Sequence, residues 1–135
     1  MPTLELVNIC CLQTEDSGED EIYITLNDKR VWGPISINEG GKDSTKTINI
    51  KKLFANRIII RLYDEDSGVF EDDDYLGKLT VKSSHADPNG KERDHTFRRD
   101  DAEYRLTYRV FAAPSKSERR TLRIKKLATT STETE

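Results

Sequence analysis

Residues 57–66 read Arg-Ile-Ile-Ile-Arg-Leu-Tyr-Asp-Glu-Asp, an apolar strand pattern that runs directly into carboxylates. Ile58, Ile60 and Leu62 recur with period two, and this alternation predicts a β-strand with one buried face. In an extended segment Asp64 and Asp66 project to the same side, where both carboxylates can converge on one ion. The stretch therefore predicts a strand that ends in an acidic, metal-binding loop.

The acidic residues of the chain are concentrated in two short clusters. Residues 15–21 and 64–74 together hold 12 of the 25 acidic residues, and each cluster lies at the end of an apolar strand-like run. Carboxylates a few Å apart repel one another by up to ~1 kcal/mol per pair even at the surface, so a folded loop that holds them needs a compensating cation. Ca²⁺ takes roughly 6–8 oxygen ligands without strict geometry, and we expect it here.

The same period of two recurs almost along the whole chain, and no long amphipathic helix competes with it. Turn signals such as Asn27-Asp28-Lys29, Gly40-Gly41 and Pro88-Asn89-Gly90 separate the apolar runs. This pattern predicts an all-β fold, an antiparallel eight-stranded two-sheet β-sandwich, with a barrel as the alternative. The predicted strands are residues 3–12, 21–27, 30–37, 44–50, 57–63, 76–82, 94–98 and 103–112.

Composition describes one globular domain rather than a disordered chain. The 135 residues are 34% hydrophobic and 35% charged, with a formal net charge of −3. We expect the domain to span residues 1–113 and a flexible tail to span residues 114–135, basic over Lys116–Lys126 and then rich in Thr and Glu. Outside that tail nothing favours nucleic acid as a partner.

The two cysteines, Cys10 and Cys11, are neighbours on a strand-like run, so their side chains point to opposite faces and a bridge between them is disfavoured. We expect one of them to be buried as a small hydrophobe. The sequence shows no secretory signal and no run of about 18 apolar residues. A cytoplasmic protein is therefore the default expectation.

Catalytic signatures are weak in this sequence. His85 and His95 lie in a polar stretch without neighbouring Cys or carboxylate ligands at zinc-like spacing, and we expect surface histidines. There is no phosphate-binding Gly-rich loop and no nucleophile elbow. An EF-hand is also excluded, because the second acidic loop lacks Gly at its sixth position and ends at Tyr75 where a bidentate Glu is needed. We therefore expect a protein that is not an enzyme.

The chain resembles the C2 domain family, the calcium- and lipid-binding β-sandwich, over roughly residues 3–112. The resemblance rests on Leu62-Tyr63-Asp64-Glu65-Asp66, on Asp73-Asp74-Tyr75-Leu76-Gly77-Lys78-Leu79, and on the acidic turn Asp16-Ser17-Gly18-Glu19-Asp20. It implies that both acidic loops meet at one end of the sandwich and that shared aspartates bind calcium there. The metal ligands implied by position are Asp16, Asp20, Asp64, Asp66 and one of Asp72 to Asp74, with Asp72 and Asp74 preferred.

Two refinements follow from the resemblance. The chain opens on the strand that precedes the first acidic loop, which favours the permuted, type II strand order. The sequence is also similar to small bacterial C2-like modules with an Asp-Glu-x-Tyr strand, here Asp20–Tyr23, a Val-Trp segment, here Val31-Trp32, and a closing Tyr-x-Leu-x-Tyr strand, here Tyr104–Tyr108.

The function expected is a non-enzymatic module whose two acidic loops bind Ca²⁺ and gate contact with an anionic membrane surface or a protein partner. Val69 and Phe70, at the tip of the second loop, are the candidate contact residues, with capping of their own loop as the alternative. A metal-independent protein-interaction module is the competing hypothesis. A hydrolase that uses bound metal as a Lewis acid comes third.

Overall fold

A computed structural model of the chain describes residues 1–15, 18–66, 72–99 and 101–113. The predicted ligand Asp16, the predicted contact residues Val69 and Phe70, and the whole predicted tail lie outside these residues. Within them the chain forms eight strands and two short 3₁₀ turns, Lys42–Ser44 and Ser83–His85. The strands are β1 Thr3–Gln13, β2 Asp20–Leu26, β3 Lys29–Ile37, β4 Thr45–Leu53, β5 Arg57–Asp64, β6 Asp74–Lys82, β7 Arg93–Arg99 and β8 Ala102–Phe111.

The eight strands form two antiparallel four-stranded sheets, with strand orders β4-β1-β8-β7 and β3-β2-β5-β6. This confirms the predicted eight-stranded sandwich, and all eight predicted strands lie within a few residues of the observed ones. β1 leads directly toward Glu15, and the type II strand order stays a prediction. In the described part of the chain no helix is long and apolar enough to cross a bilayer.

The core lies between the sheets because the period-two pattern turns one side of each strand inward. On β5 the inward residues are Ile58, Ile60 and Leu62, at most 1% exposed, while Arg57, Ile59 and Arg61 face outward. The buried apolar residues of both sheets form one continuous cluster, against which Trp32 packs from the side. Trp32 is thus partly buried at the margin of the core.

The pairing register of β5 with β2 and β6 determines which residues surround Asp64 at the C-terminal end of β5. Ile22 of β2 and Asp74 of β6 both pair with Asp64, and the alternation places Asp64 on the inward side, 4% exposed. A bulge between Leu62 and Tyr63 in the β5–β6 ladder changes the pairing just before this point. The pattern that builds the apolar core therefore ends on a buried carboxylate.

Candidate metal centre

The carboxylates of Glu15, Asp64 and Asp74 converge at one end of the sandwich. One oxygen from each lies within 4.8 Å of the others. Asp64 and Asp74 meet because they are direct partners in the β5–β6 ladder, and Glu15 reaches them from the turn after β1. We call these three residues the carboxylate cluster. The described ends of the two acidic loops therefore lie side by side.

Asp20 fixes the turn that carries Glu15. Its Oδ2 atom accepts hydrogen bonds from the backbone N–H of Glu15, at 2.8 Å, and from the hydroxyl of Tyr104. Asp20 is only 2% exposed, so these bonds form in a dry environment where a charged acceptor holds its donors strongly. The predicted ligand Asp20 thus lies beside the cluster and holds Glu15 in place.

Asp64 is tied to the neighbouring strand as well as to the cluster. Its Oδ1 atom accepts a hydrogen bond from the backbone N–H of Glu21 at 2.9 Å, and the N–H of Glu65 donates to the carbonyl of Glu21 at 2.7 Å. These two bonds extend the β2–β5 pairing into the start of the acidic loop. The position of the Asp64 carboxylate is therefore set by the sheet rather than by the loop.

Asp73 anchors the arm of the second loop that returns to β6. Its Oδ1 atom accepts from the backbone N–H of Asp66 at 3.0 Å, and its Oδ2 atom accepts from the hydroxyl of Tyr23 at 2.5 Å. Tyr23 in turn stacks on Tyr63, with ring centroids 5.0 Å apart. The two arms of the loop are thus joined to each other and to β2. Asp73, unlike its neighbours Asp72 and Asp74, serves as a brace.

The cluster is electrostatically costly without a counterion. Burial, followed by the nearby carboxyl groups of Asp74 and Asp64, raises the pKa of Glu15 to about 8. Burial also raises the pKa of Asp64 to about 6, against the opposing effect of the hydrogen bond from Glu21. The Oε2 atom of Glu15 is buried and accepts no hydrogen bond from the described part of the chain. An acceptor with that surrounding is suited to a cation or a proton.

The remaining predicted site residues occupy different places. Asp66 is half-buried near Asp64, and the charge of Asp66 contributes to the raised pKa of Asp64. Asp72 is exposed at the start of the arm that returns to β6. Sequence reasoning selected aspartates and so missed Glu15, although Glu15 belongs to the first acidic cluster. Neither histidine joins the cluster: Nδ1 of His85 accepts from the backbone N–H of Lys82, and His95 packs against Phe97.

Solved structures of known proteins share this architecture. The chain aligns with a structure of two C2 domains, A and B, of extended synaptotagmin 2 at a TM-score of 0.51 and 18% identity, covering 82% of this chain and 39% of that one. The chain has a C2-like fold. It spans about two-fifths of that chain, which holds two domains. No protein-family model and no curated protein matches the sequence.

Two further structures align with this C2-like chain at lower TM-scores. A structure described as a C2 domain aligns at a TM-score of 0.48 and 16% identity, covering 82% of this chain and 97% of its own. A structure of human GIVD cytosolic phospholipase A2 aligns at a TM-score of 0.49 and 19% sequence identity, covering 84% of this chain and 17% of its own. The similarity to small bacterial modules stays a prediction.

Proposed function

We propose that this chain is a non-enzymatic calcium-binding module, in which the two acidic loops bind Ca²⁺ and gate contact with a membrane surface or a protein partner. The observation that carries the proposal is that Glu15, Asp64 and Asp74 each place one oxygen within 4.8 Å of the others. Oε2 of Glu15 is buried there and accepts no hydrogen bond from the described residues. Three carboxylates offer the hard oxygen ligands that calcium prefers. The C2-like fold supports the same reading.

The residues suit a calcium ion because they offer carboxylate oxygens and because neighbouring strands and hydrogen bonds hold these carboxylates in place. Asp64 and Asp74 are held by the sheet, Glu15 is held through Asp20, and the loop that carries Asp66 is braced by Asp73. We propose the carboxylate cluster as the centre of the site. The other predicted ligands, Asp16, Asp20, Asp66 and Asp72, complete the proposed ligand set.

The proposed switch is electrostatic. Bound calcium supplies positive charge that offsets the repulsion within the cluster and stabilises the ionised form of each carboxylate. The acidic end of the sandwich would then lose much of its negative charge, and an anionic partner could approach it. Val69 and Phe70 are the proposed contact residues at that partner surface.

Thermal unfolding of the metal-stripped protein tests the calcium site. The melting temperature is measured with millimolar calcium, with magnesium and with neither, at matched ionic strength. For a Kd of ~10⁻⁴ M, 1 mM calcium adds about 1.4 kcal/mol of stability, which corresponds to a rise of several degrees in the melting temperature. No shift with either metal would leave a metal-independent interaction module, whereas equal shifts with both metals would indicate a divalent-cation site that does not select calcium.

Two variants make the test specific. Asp64→Asn removes one cluster carboxylate and is expected to abolish the calcium increment. Asp94→Asn, on β7 in the other sheet, removes the same charge from an exposed strand position, where the carboxylate accepts from Thr107 at 2.8 Å. It is expected to keep the full calcium increment, so loss of the increment in both variants would point to net charge rather than coordination.

The kind of partner is tested by sedimentation with vesicles, with and without calcium. Calcium-dependent pelleting with phosphatidylserine vesicles would indicate a membrane partner, and its absence would direct the search to proteins. Phe70→Ala is expected to weaken calcium-dependent pelleting. If pelleting by Phe70→Ala equals that of the unmodified chain, the proposed contact role of Phe70 is wrong.

A further inference from the structure

The end of the sandwich opposite the carboxylate cluster carries a second, differently charged surface. β5 runs from Arg57 at this end to Asp64 in the cluster, 8 residues that span roughly 25 Å. Thr3 pairs here with both Leu53 of β4 and Phe111 of β8, so three strand ends of one sheet meet at the same level. The two ends are far enough apart to bind different partners.

A cavity of about 520 Å³ opens at this end, between the β2–β3 turn and the connection from β4 to β5. Its apolar floor is made by Leu26, Phe54 and Ile58, each at most 5% exposed. Around it stand Lys29, Lys52 and Arg57, together with Leu53, which is 57% exposed. We call Lys29, Lys52, Leu53 and Arg57 the basic pole.

The charge of the basic pole is not neutralised within the described part of the chain. Lys29, Lys52 and Arg57 form no ion pair there, and no acidic residue lines the cavity. The nearest acidic residue in the turn, Asp28, is paired with Arg61 at 2.5 Å. Three cations are therefore presented together around an apolar floor.

The chain also leaves the domain at this end. Phe111 pairs with Thr3, and the N–H of Ala112 donates to the carbonyl of Asp87 at 2.9 Å, which fixes the exit of the chain beside the pole. The sequence that follows carries six basic residues and one acidic residue over Lys116–Lys126. The described chain therefore ends at Ala113 on the same end as the basic pole, three positions before the first of these basic residues, Lys116.

We propose that the basic pole is a calcium-independent docking surface for an anionic lipid bilayer. Its three cations complement lipid phosphates and carboxylates, and each Lys or Arg near an acidic bilayer contributes about 1 kcal/mol to binding. Leu53 places one aliphatic side chain at the level of the headgroups. Single-stranded nucleic acid fits less well, because Phe54, the aromatic residue among the described residues that line the cavity, is 5% exposed and offers no stacking face.

Sedimentation of the full chain in EDTA tests the proposal. The probes are vesicles of phosphatidylcholine alone and of phosphatidylcholine with about one third phosphatidylserine. The unmodified chain is expected to pellet with the vesicles that contain phosphatidylserine and not with those of phosphatidylcholine alone. This binding should weaken as the salt concentration rises. Each cation near the surface is worth about fivefold in partition, so Lys52→Gln with Arg57→Gln should reduce binding at least about tenfold.

A matched control carries the same charge change elsewhere. Lys78→Gln with Arg105→Gln removes two exposed cations, one from the middle of a strand in each sheet. In the strand register Lys78 lies opposite Arg61, and Arg105 lies opposite Cys10. Its binding should fall less than about twofold, given that partition depends on charges held near the lipid. Equal losses in the two double variants would overturn the proposal, as would absence of pelleting by the unmodified chain in EDTA.

Three further arms separate the sources of a signal. Leu53→Ala keeps all charges and should weaken vesicle binding by a few fold, while a circular dichroism melt confirms that each variant is folded. Millimolar inorganic phosphate and a single-stranded oligonucleotide are added as competitors. If either removes all vesicle binding, the basic pole is a site for soluble anions and the proposal is contradicted. Asp64→Asn should still bind acidic vesicles in EDTA, so this surface and the calcium site can fail independently.

Discussion

Tyr104 of β8 donates a hydrogen bond to Oδ2 of Asp20 at the start of β2, and this bond joins the two sheets inside the sandwich. Tyr104 is fully buried and Asp20 is 2% exposed. The same oxygen holds the backbone of Glu15, so a contact in the core positions a residue of the carboxylate cluster. The proposed calcium site and the fold thus share one carboxylate, that of Asp20.

Asp20→Ala is expected to destabilise the protein whether or not calcium is present. The substitution leaves the Tyr104 hydroxyl and the Glu15 N–H without their acceptor, and the loss of a buried charged acceptor costs about 2–3 kcal/mol. Urea unfolding in EDTA measures this loss. Tyr104→Phe removes one partner of the same bond, and in a double-mutant cycle the two substitutions should be non-additive. A normal urea midpoint for Asp20→Ala in EDTA would contradict this role.

Much of the fold follows from the alternation of apolar residues, but the partners within the site do not. Ile58, Ile60 and Leu62 predict their strand because period two is a local property of the sequence. The meeting of Asp64 with Asp74 depends on the register of two strands, and this register shifts at the bulge beside Leu62. Glu15 was missed because the prediction selected aspartates, and the hydrogen bond from its N–H to Asp20, five residues further along, is a contact that no periodicity reveals.

The metal-free protein is expected to lose stability as the pH rises from about 5 to 8.5. Because the pKa of Glu15 is raised to about 8 and that of Asp64 to about 6, the folded state binds more protons than the unfolded state in this window. Stability is therefore greatest near the unfolded pKa values and falls as the pH passes the folded ones. Melting temperatures in EDTA at constant ionic strength measure the effect.

Glu15→Gln serves as the control for this pH dependence, since it removes the carboxyl group with the higher pKa and should flatten the upper part of the profile. Saturating calcium should also counteract the decline, because the ion binds the ionised carboxylates, and the ionised fraction of each carboxyl group increases as the pH rises. A melting temperature that rises steadily between pH 5 and 8.5 in EDTA would show that the cluster is already ionised and compensated.

The two cysteines should differ sharply in reactivity. Cys11 points into the core, 2% exposed, and burial raises its pKa to about 11, whereas Cys10 is half-buried on the opposite face. At pH 8 a disulfide reagent such as DTNB should modify one thiol quickly in the folded protein and two in denaturant. Cys10→Ser should abolish the fast phase, and a fast phase that survives this change would place the reactive thiol at Cys11.

Gly33→Ala should destabilise the fold far more than Gly40→Ala, although both glycines have positive φ, +85° and +75°. Adding a Cβ in either left-handed conformation costs about 1–2 kcal/mol. At Gly40 the new atom meets nothing within 4 Å, but at Gly33 it would lie 2.4 Å from the carbonyl oxygen of Ile22 and 2.9 Å from Cα of Tyr23. Those backbone atoms belong to β2 and cannot rotate away, so Gly33→Ala should cost at least about 3 kcal/mol in urea unfolding. Tyr23 also donates a hydrogen bond to Asp73, so Gly33→Ala should weaken the stabilisation by calcium as well. Similar urea midpoints for Gly33→Ala and Gly40→Ala would mean that β3 can move away from β2 at little cost.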